Sequence, residues 1–206
     1  IIPYYLAELA EPLENMSNDV VAEINEIRRQ LEHIKDIIAT QMDIGRPSGL
    51  IEKIILPTLM DSALQISDNS RQFKGIEIHK KYEKMPPLFA DKTKLLQILV
   101  NVLQNARDAL MINDGPQKEI HVFIKHDPLH QAVFLSIKDN GIGILPENLI
   151  KIFSFGFSTK EKGHGYGLHS SASAAQEMGG ILEAQSDGIG KGAVFNLTLP
   201  LIASNK

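Results

Sequence analysis

The 206-residue chain is 43% hydrophobic and 22% charged, with a formal net charge of −4 at pH 7. This composition is typical of a soluble globular protein, and it gives no reason to expect binding to nucleic acid or to an anionic membrane surface. Cysteine is absent, which excludes disulfides and thiolate metal sites. No apolar run reaches the roughly 20 residues of a spanning helix. Because there is no initiating Met, we expect a fragment of a longer protein, which leaves open a membrane anchor elsewhere in that protein. The absence of cysteine fits a reducing compartment, so we expect this fragment in the cytoplasm, without membrane contact of its own.

The first 48 residues carry an apolar heptad pattern, and the residues between its apolar positions are polar. The pattern consists of Val20, Ile24, Ile27, Leu31, Ile34 and Ile38. A cluster of helix breakers follows at residues 45–49. One interpretation is a single amphipathic helix packed on its own domain. We favour a helical hairpin over residues 1–48 that forms a homodimer through a four-helix bundle.

From residue 49 to the end, the pattern predicts a second domain in which helices and strands alternate. Helices are predicted at 56–66, from the cap Asp91 to about 111, at 146–153 and at 166–178. Strands are predicted at 75–82, 119–126, 132–138, 181–186 and 193–199. Because the strands come in hairpin-like pairs, we expect an α+β sandwich, in which a mixed or antiparallel sheet is covered by helices on one face.

Polar side chains share one face of the predicted helix after Asp91. Asn101, Asn105 and Asp108 are spaced i, i+4 and i+7, so they project from the same side. Magnesium takes a few oxygen ligands from protein and the rest from phosphates and water. An amide oxygen on this face is therefore a candidate metal ligand.

Asp139 follows an apolar predicted strand and begins the sequence Asp-Asn-Gly-Ile-Gly. An ionised carboxylate only accepts hydrogen bonds, so it can bind the exocyclic amine of adenine and disfavour the carbonyl of guanine. Gly141 and Gly143 allow the backbone to approach a base closely. We therefore expect an adenine site here.

Glycines are concentrated in the second half of the chain, where 11 of the 15 lie between residues 141 and 192. Gly163, Gly165 and Gly167 precede a predicted helix, whose free N–H groups can hold phosphate oxygens. Their spacing is not the dinucleotide-binding one, and no P-loop sequence occurs. Lys160 lies just ahead and can add a positive charge for the terminal phosphate.

These motifs, in this order, resemble those of the ATP-binding domain of bacterial sensor histidine kinases, within the superfamily shared with gyrase, Hsp90 and MutL. The resemblance runs from Leu50 to Leu201. It is carried by an N box (Asn101 to Ala106), a G1 box (Asp139 to Gly143), an F box (Ile152 to Lys160), a G2 box (Gly163 to Leu168) and a final glycine turn (Gly190 to Phe195).

The resemblance implies the Bergerat fold, with ATP and Mg²⁺ as ligands and a mobile lid at about residues 141–162. It implies that Asn105 binds the metal and that Asp139 accepts a hydrogen bond from adenine. The further expected nucleotide contacts are Asn101, Asp108, Gly141, Gly143, Phe153, Ser158, Thr159, Lys160, Gly163, His164, Gly165, Tyr166, Gly167 and Leu168. Residues 1–48 then resemble the end of a dimerisation and phosphotransfer domain, and a cognate response regulator is the implied partner.

Two positions depart from the family pattern. Asp108 stands where such kinases often carry a basic residue, so Lys160 has to supply positive charge, with Arg107 and His164 as further candidates. Ala193 replaces a threonine that is common in gyrase-like relatives, which removes one water-mediated contact near the base.

Asn101 occupies the position at which gyrase-like ATPases place a general-base glutamate. A neutral amide is a poor proton acceptor, so we expect transfer of the phosphoryl group rather than hydrolysis, with Asn101, Asn105 and Lys160 in the catalytic site. The alternatives are an ATPase of the superfamily that includes gyrase, Hsp90 and MutL (a GHKL-type ATPase) and a non-catalytic nucleotide-binding regulatory module.

The histidines do not supply a convincing phosphate acceptor. Only His126-Asp127 has the family's His-acid pattern, and it lies at a strand end in the wrong domain, while His33 is predicted to be a surface residue. We therefore expect the acceptor histidine to lie upstream of Ile1, and this fragment to bind Mg-ATP without phosphorylating itself.

Overall fold

The computed structural model describes residues 50–68, 73–113, 115, 117–160 and 165–201, together with residues 16, 20, 23 and 24. The chain divides into two compact units, Ile1–Pro47 and Ser48–Lys206. In the first unit the four described residues are helical and exposed, and the predicted hairpin lies outside the described residues. Among the described helices, none combines the length and the apolar character needed to cross a bilayer.

The second unit alternates strands and helices. In chain order they are β1 (Ile51–Ile54), α1 (Leu56–Asp68), β2 (Glu77–Tyr82), β3 (Leu88–Asp91), α2 (Lys92–Ile112), β4 (Glu119–Asp127), β5 (Ala132–Asp139), two 3₁₀ helices (Pro146–Asn148 and Lys151–Phe153), α3 (Gly167–Glu177), β6 (Ile181–Gln185) and β7 (Ala193–Pro200).

Five strands form one mixed sheet in the order β2-β4-β5-β7-β6. Strands β2 and β4 are parallel, and the other neighbours are antiparallel. Buried and partly buried positions alternate along β7, as expected for a sheet with one face packed against the core. The predicted α+β sandwich with a mixed sheet is therefore confirmed.

Helix α2 forms the centre of the core and begins where the sequence predicted. The Asp91 side chain accepts hydrogen bonds from the backbone N–H groups of Thr93 and Lys94, which caps the helix. One side of the helix is buried against the sheet and the other helices. Its fully buried side chains include Leu95, Ile98, Leu99, Leu103 and Leu110. The opposite side is left to carry polar residues toward the site.

The structure differs from the sequence prediction in two places. The helix predicted at 146–153 is two separate 3₁₀ turns, neither of which has a side-chain cap. Without such a cap, the backbone N–H groups of the first turn have no side-chain acceptor. Each turn is instead closed by backbone hydrogen bonds between residues i and i+3. The sequence analysis also missed β1 and β3, which pair antiparallel as a small separate sheet.

Candidate nucleotide-binding site

Asp139, at the end of β5, is the only carboxylate that is buried in the described structure, with 1% of its surface exposed. Its Oδ1 accepts a hydrogen bond of 2.8 Å from the Gly141 N–H. Its Oδ2 is buried and has no hydrogen-bond partner among the described residues. Burial raises the pKa of Asp139 to about 6, against the opposing effect of backbone N–H donors such as that of Gly141. A ligand with an N–H donor would supply the missing partner.

Asp139 opens into a cavity of about 280 Å³. Among the residues predicted to bind nucleotide, those that line the cavity are Asn105, Asp139, Gly143, Thr159, Lys160 and Leu168. The remaining lining is largely apolar. The sequence analysis placed Ala193 near the base but did not predict the other lining residues as ligand contacts: Ala109, Ile112, Ile142, Ile144, Leu145, Asn148, Ile152, Ile189 and Phe195. An apolar cavity with a few directed polar groups is the usual character of a small-molecule site.

Part of the missed lining could have been found from periodicity. Ala109 and Ile112 follow Asn105 at i+4 and i+7, so they share its face of α2. Ile142 and Ile144 flank Gly143 in the predicted adenine loop. Apolar residues that share a helix face or a loop with predicted polar site residues are therefore candidates for the cavity lining.

Lys160 joins the two polar residues of α2 that were predicted to serve the metal and phosphate end. Its Nζ donates to Asn105 Oδ1 at 3.0 Å and to Asp108 Oδ2 at 2.6 Å. An ammonium group thus lies against the amide oxygen that is the candidate metal ligand. Asn105 Oδ1 can therefore interact with a cation, which is either the lysine ammonium or a metal ion.

Asp108 is held between two basic side chains. Arg107 donates to its Oδ1 at 2.9 Å through Nε, and Lys160 contacts its Oδ2. Burial acts to raise the pKa of Asp108, but the hydrogen bonds and charges of Lys160 and Arg107 outweigh it and hold the pKa below the usual value. Asp108 is therefore ionised at neutral pH and is a weak base.

Asn101 lies one turn before Asn105 and connects α2 to α3. Its Nδ2 donates to the carbonyl of Gly167 at 3.2 Å and to Ser171 Oγ at 3.1 Å. The amide therefore holds the first turn of α3 and is not part of the cavity lining. Its participation in catalysis stays a prediction.

The remaining predicted contacts lie around the start of α3. The Phe155 ring packs at a tilt against Tyr166 with ring centroids 4.7 Å apart, and His169 Nδ1 lies 3.0 Å from the Phe153 carbonyl oxygen. These two contacts connect the F box to the start of α3. Within the F box, Ser158 Oγ accepts a hydrogen bond from Lys160 N at 3.1 Å. Gly163 and His164 lie outside the described residues.

Close approaches of the backbone require glycine at several positions, among them Gly141, Gly165 and Gly192. A Cβ at Gly141 would lie 2.7 Å from the Ala109 carbonyl carbon, and one at Gly165 would lie 2.4 Å from that of Gly156. A Cβ at Gly192 would lie 2.1 Å from the Asp139 carbonyl oxygen. These positions bring the loops against α2, the F box and the end of β5.

Gly192→Ala should therefore destabilise the chain much more than Gly190→Ala. Both residues have a positive φ, +69° for Gly192 and +75° for Gly190, so their backbone strain is alike, but nothing lies within 4 Å of a Cβ at Gly190. Overpacking at Gly192 should add roughly 1–3 kcal/mol to the loss of unfolding free energy. Urea denaturation of both variants measures the difference, and equal losses would contradict the predicted collision.

The residues that are present fit a nucleotide with its metal. The orphaned Oδ2 of Asp139 provides the acceptor that an adenine amine needs, and apolar walls surround it. Asn105 provides a neutral oxygen donor of the kind that magnesium binds, next to the positive charge of Lys160.

Comparison with known proteins identifies the family of the chain. Residues 90–203 match the family model described as histidine kinase-, DNA gyrase B- and HSP90-like ATPase. Sporulation kinase E of Bacillus subtilis is 26% identical over 190 residues, which cover 91% of this chain and 25% of that protein. Sensor histidine kinase ZraS of Escherichia coli is 27% identical, and sensor protein CitS of Halalkalibacterium halodurans is 33% identical. The chain spans about a quarter to somewhat under two fifths of the length of these relatives.

Solved structures share the fold. The mycobacterial sensor histidine kinase MprB superposes with a TM-score of 0.63 at 24% identity, covering 73% of this chain and 97% of that one. Full-length ShkA, solved in complex with AMPPNP, gives a TM-score of 0.66 at 23% identity over 77% of this chain and 32% of that one. The family model matched over residues 90–203 shows that the chain belongs to the histidine kinase-, DNA gyrase B- and HSP90-like ATPases, and its relatives include sensor histidine kinases.

Proposed function

We propose that the chain binds ATP with Mg²⁺ and transfers the γ-phosphoryl group to a histidine on a separate acceptor domain of a two-component kinase. The observation that carries this proposal is the buried, unpartnered Oδ2 of Asp139 in the wall of an apolar cavity. Asn105 and Lys160 line the same cavity, so an acceptor for the base and the groups for the phosphates serve one ligand.

At the base end, Asp139 would select adenine. Ionised, it accepts from the exocyclic amine, whereas guanine would place a carbonyl oxygen against a carboxylate oxygen. The second carboxylate oxygen is already held by the Gly141 N–H, which fixes the orientation of the side chain. The apolar lining excludes water from the base and strengthens this contact.

At the phosphate end, Asn105 would hold the metal and Lys160 would bind the terminal phosphate. When bound, Mg²⁺ neutralises charge on the β- and γ-phosphates. In the proposed complex Lys160 would leave Asn105 Oδ1, which it contacts in this structure, to the metal and would move its charge to the phosphate. Asp108 would keep Lys160 nearby, since it is bonded to the same Nζ.

The site is better suited to phosphoryl transfer than to hydrolysis. A hydrolase needs a base to activate water. Asn101 has no basic group and donates its amide to Gly167 and Ser171, while Asp108 is a weak base because Lys160 and Arg107 lower its pKa. In the proposed reaction an acceptor imidazole nitrogen would bond to the γ-phosphorus, the bond to the β,γ-bridging oxygen would break, and ADP would leave.

We do not assign the acceptor role to His126 or His169. The Nε2 of His126 is buried, and Asp127 pairs with His130 at 2.7 Å rather than with His126. His169 is bonded to the Phe153 carbonyl. We therefore assign the acceptor to another domain, in keeping with the greater length of the curated relatives. Residues 1–48 would be the end of its dimerisation hairpin and residues 49–206 the catalytic domain, with a lid at about 141–162.

On this proposal the chain acts in the cytoplasm as part of a homodimer that signals to a response regulator. Two alternatives make different predictions. A GHKL-type ATPase would release phosphate steadily without an acceptor, and a regulatory module would bind ATP without transferring its phosphate.

Incubation with γ-labelled ATP and Mg²⁺, with and without the histidine-bearing domain of the parent protein, tests the proposal. We expect acid-labile, base-stable label on the added domain, no label on the chain alone and little free phosphate. Label on the chain alone would refute the separate acceptor. Steady phosphate release would favour the ATPase, and binding without any label or release would favour the regulatory module.

A further inference from the structure

A group of potential metal ligands lies on the sheet, separate from the nucleotide cavity. In the parallel pair of β2 and β4, Glu77 is aligned with Glu119 and His79 with His121. On β4 the intervening Ile120 and Val122 are fully buried, whereas Glu119 and His121 are partly exposed. Because side chains alternate along a strand, the two histidines and two glutamates share the face opposite the buried residues.

The two imidazole rings are already stacked across the strands. Their centroids are 4.5 Å apart with an interplanar angle of 19°, and His121 also stacks with Phe123. Each Nε2 lies near a carboxylate, at 3.1 Å between His121 and Glu119 and at 3.4 Å between His79 and Glu77. Ligating atoms of His79, Glu119 and His121 all lie within 4.8 Å of one another.

We propose that His79, His121 and Glu119 form a binding site for a divalent transition-metal ion of the zinc type. Imidazole nitrogens and a carboxylate oxygen are ligands that zinc accepts at about 2.0–2.2 Å, with water in an open position. Tetrahedral ligands at that range are about 3.3 Å apart, so small side-chain rotations would close the present spacing. The strand register holds all three residues, which reduces the ordering cost of binding.

The site is chemically distinct from the proposed magnesium position. Magnesium prefers oxygen ligands, and Asn105 offers an amide oxygen, whereas this group is dominated by imidazole, which suits zinc, copper and nickel. A bound ion would link β2, an edge strand of the five-stranded sheet, to β4. Glu119 would contribute from the first residue of β4, whose backbone N–H donates to Asn140 Oδ1 at 2.8 Å.

Titration of the nucleotide-free 206-residue chain with ZnCl₂ tests the site by calorimetry, with thermal unfolding as a second readout. We expect saturable binding of one zinc per chain at this site and an upward shift in Tm, which MgCl₂ does not reproduce. His79→Ala and His121→Ala should each weaken this binding at least about 10-fold, and Glu119→Gln should weaken it several-fold.

His130→Ala is the matched control, because His130 also pairs with a carboxylate, that of Asp127, but is not in the ligand group. It should leave zinc affinity and the Tm shift unchanged. Circular dichroism without metal establishes that each variant folds. No saturable binding by the native chain, unchanged affinity in either histidine variant, or an equal loss in His130→Ala would overturn the proposal.

Discussion

Asp139→Asn should weaken ATP binding and at the same time stabilise the nucleotide-free chain. The amide presents a donor where the adenine amine needs an acceptor, and loss of a hydrogen bond to a charged group costs about 1.5–3 kcal/mol, or about 10- to 100-fold in affinity. Calorimetric titration with ATP measures the affinity, and urea denaturation without nucleotide measures the stability.

The gain in stability follows from the sign of the pKa shift. Burial raises the pKa of Asp139 from 3.8 to about 6, so the folded chain binds this proton more tightly than the unfolded chain. Stability from this group is therefore present at about pH 4 and is lost as the pH rises through about 6. At about pH 7.5 the neutral variant should be more stable on the order of 1–3 kcal/mol, and this advantage should shrink toward about pH 4.

The same titration should appear in binding. ATP affinity of the native chain should fall as the pH drops below about 6, because protonation removes the acceptor, and the variant should lack this dependence. Asp187→Asn is the matched control, since it makes the same substitution at an exposed residue between β6 and β7. Native-like ATP affinity of Asp139→Asn would refute the adenine assignment, and a stability advantage independent of pH would refute the burial argument.

Asn105→Ala should abolish the contribution of Mg²⁺ to ATP binding. Removing the amide oxygen takes away the proposed metal ligand, and a loss of about 10- to 100-fold in metal-dependent affinity is expected. Affinity measured without Mg²⁺ should change little, because the base contacts remain. Stability should fall by less than about 1 kcal/mol, since Asn105 is only partly buried and Lys160 keeps its bond to Asp108.

Titrations of the native chain, Asn105→Ala and Gln104→Ala, each with and without Mg²⁺, measure this effect. Gln104 neighbours Asn105 on α2 but is exposed, so its variant should behave as the native chain does. If Asn105→Ala kept the full magnesium effect, the metal ligand would have to be sought elsewhere.

Local signals in the sequence predicted most of the second unit. Asp91 as a cap predicted the start of α2, and the turn residues 127–130 between two apolar runs predicted the antiparallel pair of β4 and β5. Strands β1 and β3 were missed because each has four residues and its partner is distant in sequence. The parallel pairing of β2 with β4 likewise depends on contacts that no local pattern encodes.

The polar residues of the site were easier to predict than its walls. Asn105 and Asp139 stand in motifs whose chemistry can be argued from residue type and spacing. The contact of Lys160 with Asn105 joins residues 55 positions apart, and Ile189 and Phe195 reach the cavity from the end of the domain. Apolar residues of that kind read as ordinary core until tertiary structure shows which of them border the cavity.

The most direct test of the central claim, an adenine-selective, magnesium-dependent site between α2 and β5, is a competition titration of the native chain. With AMPPNP bound in the presence of Mg²⁺, ATP should displace it at one site per chain, GTP should compete at least about 10-fold less well, and chelation of Mg²⁺ should weaken binding. Equal displacement by GTP and ATP, or affinity unaffected by chelation, would contradict the account.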